Sequence, residues 1–413
     1  MAEIKKLVLG RKIVEDLDED QELPHELMTV NMGPSHPAMH GTVRIVLTVD
    51  GERVVESDVQ PGFLHRCFEK ESEYATYTQI FPYTDRLNYI SPMINNVGYA
   101  MAVEKLLGLT DAVPVRAQYI RVIVSEISRI TDHLTCLGMA ASEIGAISAA
   151  FYMLEAREFL YDLVEAITGA RLTVTWCRLG GVTNDLPADM KPRTANALKQ
   201  TRRILVDCDR LLSRNRIFVD RMVEVGVLPR EDAISYGLTG PLLRATGVAY
   251  DVRKAHPYLV YDRMDFTVPT GTRGDNYDRF MVRMAELEQS MRIIEQAVDQ
   301  IPDGPIRIDD PRFYLPPKHE VYGSIEGLMN HFKLVIEGQK VPPGEVYVAT
   351  EGGNGELGFY LVSDGSGRPY RVRVRPPSFY GMAALGEMLK GHMIADVITT
   401  FGQINMIGGE CDH

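Results

Sequence analysis

Apolar and polar residues alternate near both ends of the chain. In residues 42–50, Val43, Ile45, Leu47 and Val49 occupy every second position, which is typical of a strand with one buried face. Asp50-Gly51 follows this run and is a strong signal for a hairpin turn. The alternation predicts strands at Met28–Met32, 42–50 and 53–59 near the N-terminus, and at 345–350, Glu356–Ser363 and 370–375 near the C-terminus.

Between these ends the apolar residues recur with the period of a helix. In residues 117–138, for example, Ile120, Val124, Ile127 and Leu134 lie on one helical face. The same reasoning predicts helices at 85–107, 117–138, 151–167, 192 to about 223, 277–298 and 383–400. The pattern therefore predicts an α+β protein, in which a core bundle of long helices is flanked by N-terminal and C-terminal β elements.

Four segments follow from this order of elements. Residues 1–25 form an acidic N-terminal arm, and residues 26–61 form an N-terminal β domain. Residues 62–343 form the helical bundle core, and residues 344–413 supply C-terminal β hairpins and a helix that packs back on that core. Neither an internal repeat nor a low-complexity linker separates the segments, so we expect both β ends to fold onto one helical core.

Residues 31–41 form the most informative loop, because Gly33, Pro34, Pro37 and Gly41 interrupt any regular helix or strand. The loop carries His36 and His40 and leads directly into the first long strand. A rigid loop at the rim of a sheet can present an imidazole to a ligand. A histidine there can equally cap a turn, and the loop alone does not decide between these two roles.

Composition narrows the class of protein. The 413 residues carry a formal net charge of −12 and show no basic stripe, which argues against nucleic-acid binding. No apolar run is long enough to span a membrane, and the charged N-terminus does not resemble a signal peptide. The five cysteines include no Cys-x-x-Cys pair, so a self-contained zinc or iron–sulfur site is not expected. We expect a cytoplasmic protein whose membrane contact is made through a partner.

Two further segments matter for function. Residues 353–358 match G-x-G-x-x-G, but a second strand follows them where a nucleotide-binding motif would have a helix, so they predict a hairpin turn. Glu143 lies in an otherwise small and apolar stretch, residues 134–151. A buried carboxylate must be paired or neutralised, whereas an exposed one needs no partner, and both possibilities remain open at this point.

Short motifs along nearly the whole chain resemble the 49 kDa family, or D-type subunits, of respiratory complex I, the proton-pumping NADH:quinone oxidoreductases. No single motif is specific, but their order is. They are Gly33-Pro34-Ser35-His36-Pro37, His40-Gly41, Gly62-Phe63-Leu64-His65-Arg66, Asp85-Arg86-Leu87-Asn88-Tyr89, Arg178-Leu179-Gly180-Gly181-Val182, Gly237-Leu238-Thr239-Gly240-Pro241, Leu243-Arg244-Ala245-Thr246-Gly247, Asp251-Val252-Arg253-Lys254, Gly355-Glu356-Leu357-Gly358 and Arg375-Pro376-Pro377-Ser378-Phe379.

The resemblance implies the fold of the nickel–iron hydrogenase large subunit, to which this family is related. Hydrogenases hold their metals with two cysteine pairs, whereas the corresponding segments here contain only Cys67 and Cys411. A binuclear site of soft metals needs several thiolates, so we expect no nickel and no metal in this chain. The resemblance implies instead that the vacated pocket binds the head group of a quinone.

The family's site residues map onto specific positions. His40 and Tyr89 are implied to bind the quinone and to donate protons, chemistry that suits an imidazolium and a phenol. Glu143, at a position that is usually aspartate, is implied to pair with and orient His40, which leaves His36 a structural role. Arg66 and Thr173 are implied to lie near the terminal iron–sulfur cluster of the neighbouring B-type subunit. Thr173 replaces a common histidine, and Asn405 replaces a more usual acidic residue.

The resemblance also implies the assembly. The B-type and C-type subunits and the H-type membrane subunit are the expected neighbours, and the site is complete only with them. This chain should bind no cofactor of its own, since iron–sulfur clusters, FMN and NADH belong to other subunits. The implied location is the cytoplasmic face of the cell membrane, as a peripheral part of the hydrophilic arm. Two alternatives are a related complex fed by ferredoxin or another donor, and a nickel–iron hydrogenase large subunit.

Overall fold

The computed structural model describes residues 27–413, so the predicted acidic arm at 1–25 lies outside the described residues. The N-terminal strands β1 (Met28–Met32), β2 (Arg44–Asp50) and β3 (Arg53–Gln60) form an antiparallel sheet in that order. A tight hairpin joins β2 to β3, with Asp50 opposite Arg53. Ile45, Leu47 and Val49 are fully buried, which confirms the alternation. The predicted strands are therefore present.

Helices make up the middle of the chain. The N-terminal part contains α1 (Phe68–Tyr74), α2 (Phe81–Thr84), α3 (Pro92–Leu106), α4 (Val115–Glu143) and α5 (Ile147–Thr168), followed by the two-residue strands β4 (Cys177–Arg178) and β5 (Gly181–Val182). The rest contains α6 (Met190–Leu212), α7 (Arg216–Met222), α8 (Arg230–Ser235), α9 (Gly240–Arg244), α10 (Val252–Ala255), α11 (Asn276–Gln300), α12 (Lys318–Gly323) and α13 (Ile325–Phe332).

The C-terminal region begins with a second antiparallel sheet. Its strands β6 (Gly344–Glu351), β7 (Glu356–Ser363) and β8 (Arg371–Arg375) pair in sequence order, and the helices α14 (Pro377–Leu389), α15 (Ile394–Ile404) and α16 (Gly408–Cys411) follow. Residues 352–355 form the turn between β6 and β7, where Glu351 pairs with Glu356. The G-x-G-x-x-G match is therefore a hairpin turn, as the sequence predicts.

Three helix predictions need correction. The helix predicted at 85–107 begins only at Pro92, because the preceding polar residues are buried and bond to other parts of the chain; Asp85, for example, bonds to Asn96 and Thr175. The helix predicted at 192–223 is two helices, since the Asn215 side chain accepts from two backbone N–H groups and starts a new one. The helix predicted at 383–400 is also two, separated by Gly391 at a φ of +80°.

Long helices form the central core. Helix α4 packs against α5 and α11, and its apolar residues, such as Ile120, Ile127 and Leu134, are fully buried. The N-terminal sheet packs against α14, and the C-terminal sheet packs against α3. The predicted α+β architecture of long helices flanked by β elements is confirmed. Within residues 27–413, no helix combines the length and apolarity that crossing a membrane requires.

Candidate functional site

The loop at residues 31–41 contains one short 3₁₀ turn, Pro37–Met39, which holds the two histidines differently. His36 caps the turn, because its Nδ1 accepts a hydrogen bond from the Ala38 backbone at 3.2 Å. Met39 is fully buried and fixes the loop to the core. His40 follows at a φ of +55°, and its side chain remains exposed. The loop therefore uses His36 for its own structure and presents His40.

His40 meets Glu143 across 103 residues of sequence, with His40 Nε2 3.2 Å from Glu143 Oε1. The His40 side chain is 37% exposed and that of Glu143 only 7%. Burial raises the pKa of Glu143, and the hydrogen bond from His40 opposes that rise. The Phe401 and His40 rings pack edge to face, with their centroids 5.7 Å apart. A buried carboxylate thus orients an exposed imidazole.

Gly402 makes room for the Glu143 carboxyl group. A Cβ atom at Gly402 would lie 1.9 Å from Glu143 Oε2, so any other residue would displace the carboxylate. The extra methylene of glutamate is therefore accommodated by a glycine on α15. This contact joins the end of α4 to α15 beside the His40 loop.

Tyr89 and Arg66 line one cavity of about 540 Å³. Burial raises the pKa of the Tyr89 phenol, and a hydrogen bond from the Gly408 backbone opposes the rise. His40 and Glu143 do not line this cavity, but the C-terminal segment contacts both His40 and Tyr89, through Phe401 and through Gly408. The cavity is lined by Leu64, Arg66, Phe68, Glu71, Tyr83, Arg86, Leu87, Tyr89, Gly409, Asp412 and His413.

The last residues of the described chain build one wall of this cavity, a contribution that sequence reasoning missed. The Asp412 carboxylate accepts hydrogen bonds from the backbone of Gly62 at 2.9 Å and of Leu64 at 2.8 Å. The His65 ring bonds to the Asp412 carbonyl oxygen at 2.8 Å. Three of the four residues at 410–413 can ionise as acid or imidazole (Glu410, Asp412 and His413), but four residues are too few to show a helical or strand period.

Thr173 does not line the cavity, and its half-buried side chain bonds to the Leu172 carbonyl oxygen at 2.8 Å. Its φ of +53° is unusual for a β-branched residue. Arg66 is exposed beside Cys67, an exposed free thiol, whereas Cys411 is buried. Among residues 27–413, no cluster of three or more His, Cys, Asp or Glu side chains has an arrangement that could hold a metal ion.

Asp132 is a buried acceptor next to the cavity wall. It receives hydrogen bonds from Asn88 at 2.8 Å, Ser91 at 3.1 Å and Asn405 at 2.8 Å. Gly353 packs against it so closely that a Cβ there would lie 2.2 Å from Asp132 Oδ2. Asn405 thus supplies a neutral donor where an acidic side chain would place a second negative charge beside Asp132.

Comparison with known proteins gives consistent matches. The sequence model of the family described as "Respiratory-chain NADH dehydrogenase, 49 Kd subunit" matches residues 143–413. The chain is 58% identical over 400 residues to the D 1 subunit of NADH-quinone oxidoreductase of Sorangium cellulosum, covering 96% of this chain and 98% of that protein. It is 56% identical over 394 residues to the D subunit of NADH-quinone oxidoreductase of Myxococcus xanthus, covering 95% of this chain and 94% of that protein. The C/D subunit of NADH-quinone oxidoreductase of Bdellovibrio bacteriovorus is 49% identical over 398 residues, covering 96% and 70%.

Proposed function

Because the chain belongs to the 49 kDa subunit family of respiratory-chain NADH dehydrogenase, we propose that His40 and Tyr89 bind and protonate the head group of a quinone. The predicted family is confirmed, and the chain is one subunit of an NADH-quinone oxidoreductase complex. The observation that carries the proposal is the contact between the exposed His40 ring and the buried Glu143 carboxylate. A proton donor held in this way can hydrogen bond to a quinone oxygen.

Reduction of a quinone to a quinol consumes two electrons and two protons. The terminal iron–sulfur cluster of the neighbouring B-type subunit would supply the electrons, and the exposed Arg66 would place a fixed positive charge towards it. His40 donates one proton as an imidazolium, and Glu143 keeps its ring oriented. Tyr89 donates the other as a phenol, from the wall of the cavity that it shares with Arg66. No complete active site is formed without the partner subunit.

The assembly around this chain follows from the same proposal. The B-type and C-type subunits and the H-type membrane subunit are its neighbours, and the chain sits peripherally at the cytoplasmic face of the cell membrane. The Bdellovibrio relative is named as a combined C/D subunit, which supports the C-type subunit as a direct neighbour of this chain. Quinone reduction here is coupled to proton translocation through the membrane subunits.

Enlarging Gly402 tests the His40–Glu143 contact. In Gly402→Ala, the new methyl carbon would lie 1.9 Å from Glu143 Oε2, far inside contact distance, so the carboxylate should move and release His40. Misplacing a reacting group by about 1 Å costs about 10²-fold in rate, and we expect a loss of quinone turnover of that size. The measurement is NADH oxidation by the assembled complex with quinone, compared with an artificial acceptor that takes electrons at the flavin.

The matched control is Gly323→Ala, where an added Cβ meets nothing within 4 Å. This variant should retain wild-type turnover. Full quinone turnover in assembled Gly402→Ala complex would mean that the His40–Glu143 contact does not matter.

Because Thr173 stands where a histidine is common, we expect the reduction potential of the terminal iron–sulfur cluster of the B-type subunit to depend little on pH. Threonine does not titrate, so the cluster should lose the proton-linked behaviour that a nearby histidine would give it between about pH 6 and 8. Thr173→His should introduce a slope of up to about 59 mV per pH unit, the limit for one proton per electron. Redox titration of the cluster in both proteins makes the measurement, and a steep slope in the unmodified protein would contradict the assignment. A weakly pH-dependent cluster is compatible with a low-potential quinone such as menaquinone.

A further inference from the structure

Asp132 and Glu410 are two buried carboxyl groups near Tyr89, and both hydrogen bond to the side-chain amide of Asn88. Asn88 Nδ2 donates to Asp132 Oδ2 at 2.8 Å, and the Asn88 side chain also hydrogen bonds to Glu410. Asp132 is fully buried and Glu410 is 2% exposed. Asp132 lies on α4 and Glu410 on α16, so the amide joins two elements that are far apart in sequence.

The other groups around this pair are neutral donors. Glu410 Oε1 accepts from the Ser378 backbone at 2.9 Å, and Asp132 accepts from Ser91 and Asn405. Within residues 27–413, neither carboxyl group forms a salt bridge with a lysine, arginine or histidine. His133, which follows Asp132 on α4, bonds to Glu286 instead, at 2.8 Å. Two buried carboxylates without a cation cannot both ionise at low cost, so one of them holds a proton near neutral pH.

Of the two carboxyl groups, Glu410 is the one that holds the proton. Burial, together with the charge of Asp132, raises the pKa of Glu410 to about 7 against the hydrogen bonds from Ser378 and Asn88. Asp132 accepts hydrogen bonds from three side chains, which replace the water that a carboxylate loses on burial. The ionisable groups close to Glu410 also include Tyr89 and the residues that follow Glu410 in the chain, Cys411, Asp412 and His413. The Asp412 carboxylate is bound to the backbone of Gly62 and Leu64, and the His413 ring pairs with Glu69 and hydrogen bonds to the backbone of Glu410, not to its carboxyl group.

Tyr89 is within reach of this pair. It follows Asn88 directly in the chain, and its phenol is hydrogen bonded by the backbone of Gly408, which starts the turn that contains Glu410. Burial raises the pKa of Tyr89, the Gly408 N–H lowers it, and negative charge on Asp132 and Glu410 raises it further. The charge state of Glu410 therefore changes how readily the phenol gives up its proton.

We propose that Glu410 is a positioning residue for the reaction, which holds a proton beside Tyr89 and weakens the tyrosine as a proton donor when it ionises. This inference rests on the proposed function of Tyr89. Below about pH 7 Glu410 is neutral, so the phenolate that forms after proton donation faces only Asp132. Above that pH a second negative charge opposes the phenolate, and donation to the quinone slows.

The test is the pH profile of quinone turnover in the assembled complex, divided at each pH by electron transfer to the flavin-site acceptor. The unmodified complex should lose turnover severalfold as pH rises, with a midpoint at about 7. Glu410→Gln is permanently neutral, so the decline with rising pH should become smaller, while the turnover at about pH 6 stays close to the unmodified level. Glu410→Asp keeps an ionisable group and should restore the larger decline.

A second, milder variant keeps the test valid if Glu410→Gln fails to fold. Ser378→Ala removes a side-chain hydrogen bond that lowers the pKa of Glu410 but keeps the backbone donor, so the midpoint should move to higher pH. Glu326→Gln, at an exposed position on α13, should leave the profile unchanged. Infrared difference spectra should contain a protonated carboxyl band that titrates at about pH 7 and is absent in Glu410→Gln.

Three outcomes contradict the inference. They are an unchanged profile in both Glu410→Gln and Ser378→Ala, a midpoint that moves down in Ser378→Ala, or a carboxyl band that persists in Glu410→Gln. If these results appear while Tyr89→Phe still abolishes quinone turnover, only the role of Glu410 fails. If Tyr89→Phe leaves turnover unchanged, the proposed function fails and this inference fails with it.

Discussion

Replacing Tyr89 by phenylalanine is expected to lower quinone turnover of the assembled complex by about 10²- to 10⁴-fold, the usual contribution of one general acid. Phenylalanine fills the same space in the cavity wall but has no proton to donate. His40→Ala should have an effect of similar size, because it removes the imidazole that Glu143 holds at 3.2 Å. Electron transfer from NADH to an artificial acceptor at the flavin should continue at the normal rate in both variants.

The measurement compares the rate of NADH oxidation with quinone and with the artificial flavin-site acceptor, because the ratio separates the quinone site from electron entry. Tyr322→Phe is a matched control, since that tyrosine is 88% exposed on α12, away from the cavity residues. Normal quinone turnover in fully assembled Tyr89→Phe complex would rule out the phenol as a proton donor.

The second large effect concerns stability. Arg244 is fully buried and pairs with Glu286 at 2.6 Å and with Glu351 at 2.8 Å. Arg244→Met would leave two buried carboxylates without their cation, and breaking such a pair costs about 3–5 kcal/mol in the free energy of unfolding. We expect a strongly destabilised protein and a low yield of assembled complex. Denaturant unfolding of the purified protein gives the first quantity, and complex yield gives the second.

The pH dependence of this network has a definite sign. Burial alone would raise the pKa of Glu286, but Arg244 and His133 outweigh it and lower the pKa to about 2. A lowered pKa in the folded state stabilises the protein above the unfolded value near 4.5, and this stabilisation is lost as pH falls toward 2. Arg244→Met should reduce that acid-sensitive part of the stability, since only His133 remains beside Glu286 to lower its pKa. Arg312→Met, which breaks a surface pair with Asp310, should change stability and its pH dependence far less, because solvent screens such a pair.

Periodicity predicted the fold well where one face of an element is apolar. The β2–β3 hairpin and the long helices α4, α5 and α11 lie within a few residues of their predicted bounds. It failed where buried residues are polar. Asp85, Asn88 and Ser91 look like helix-surface residues in the sequence, but they are buried and hydrogen bonded, and the helix begins after them.

The site was less accessible to pattern reasoning than the fold. The pairing of His40 with Glu143 came from family resemblance, because no local period relates residues 103 positions apart. Asp132 occupies a position on α4 that the sequence alone would allow to face water, and only the packing of Asn88, Asn405 and Gly353 shows otherwise. The C-terminal residues gave no periodic signal, although they form a wall of the cavity.

Photolabelling with a quinone analogue tests the central claim most directly. The assembled complex would be irradiated with a photoreactive quinone and the labelled peptides of this chain mapped, with and without excess quinone. We predict labels in the loop at residues 31–41 and on the walls of the Tyr89 cavity, in both cases reduced by competing quinone. Labels that fall elsewhere in the complex, or that excess quinone does not reduce, would contradict the assignment of His40 and Tyr89 to the quinone site.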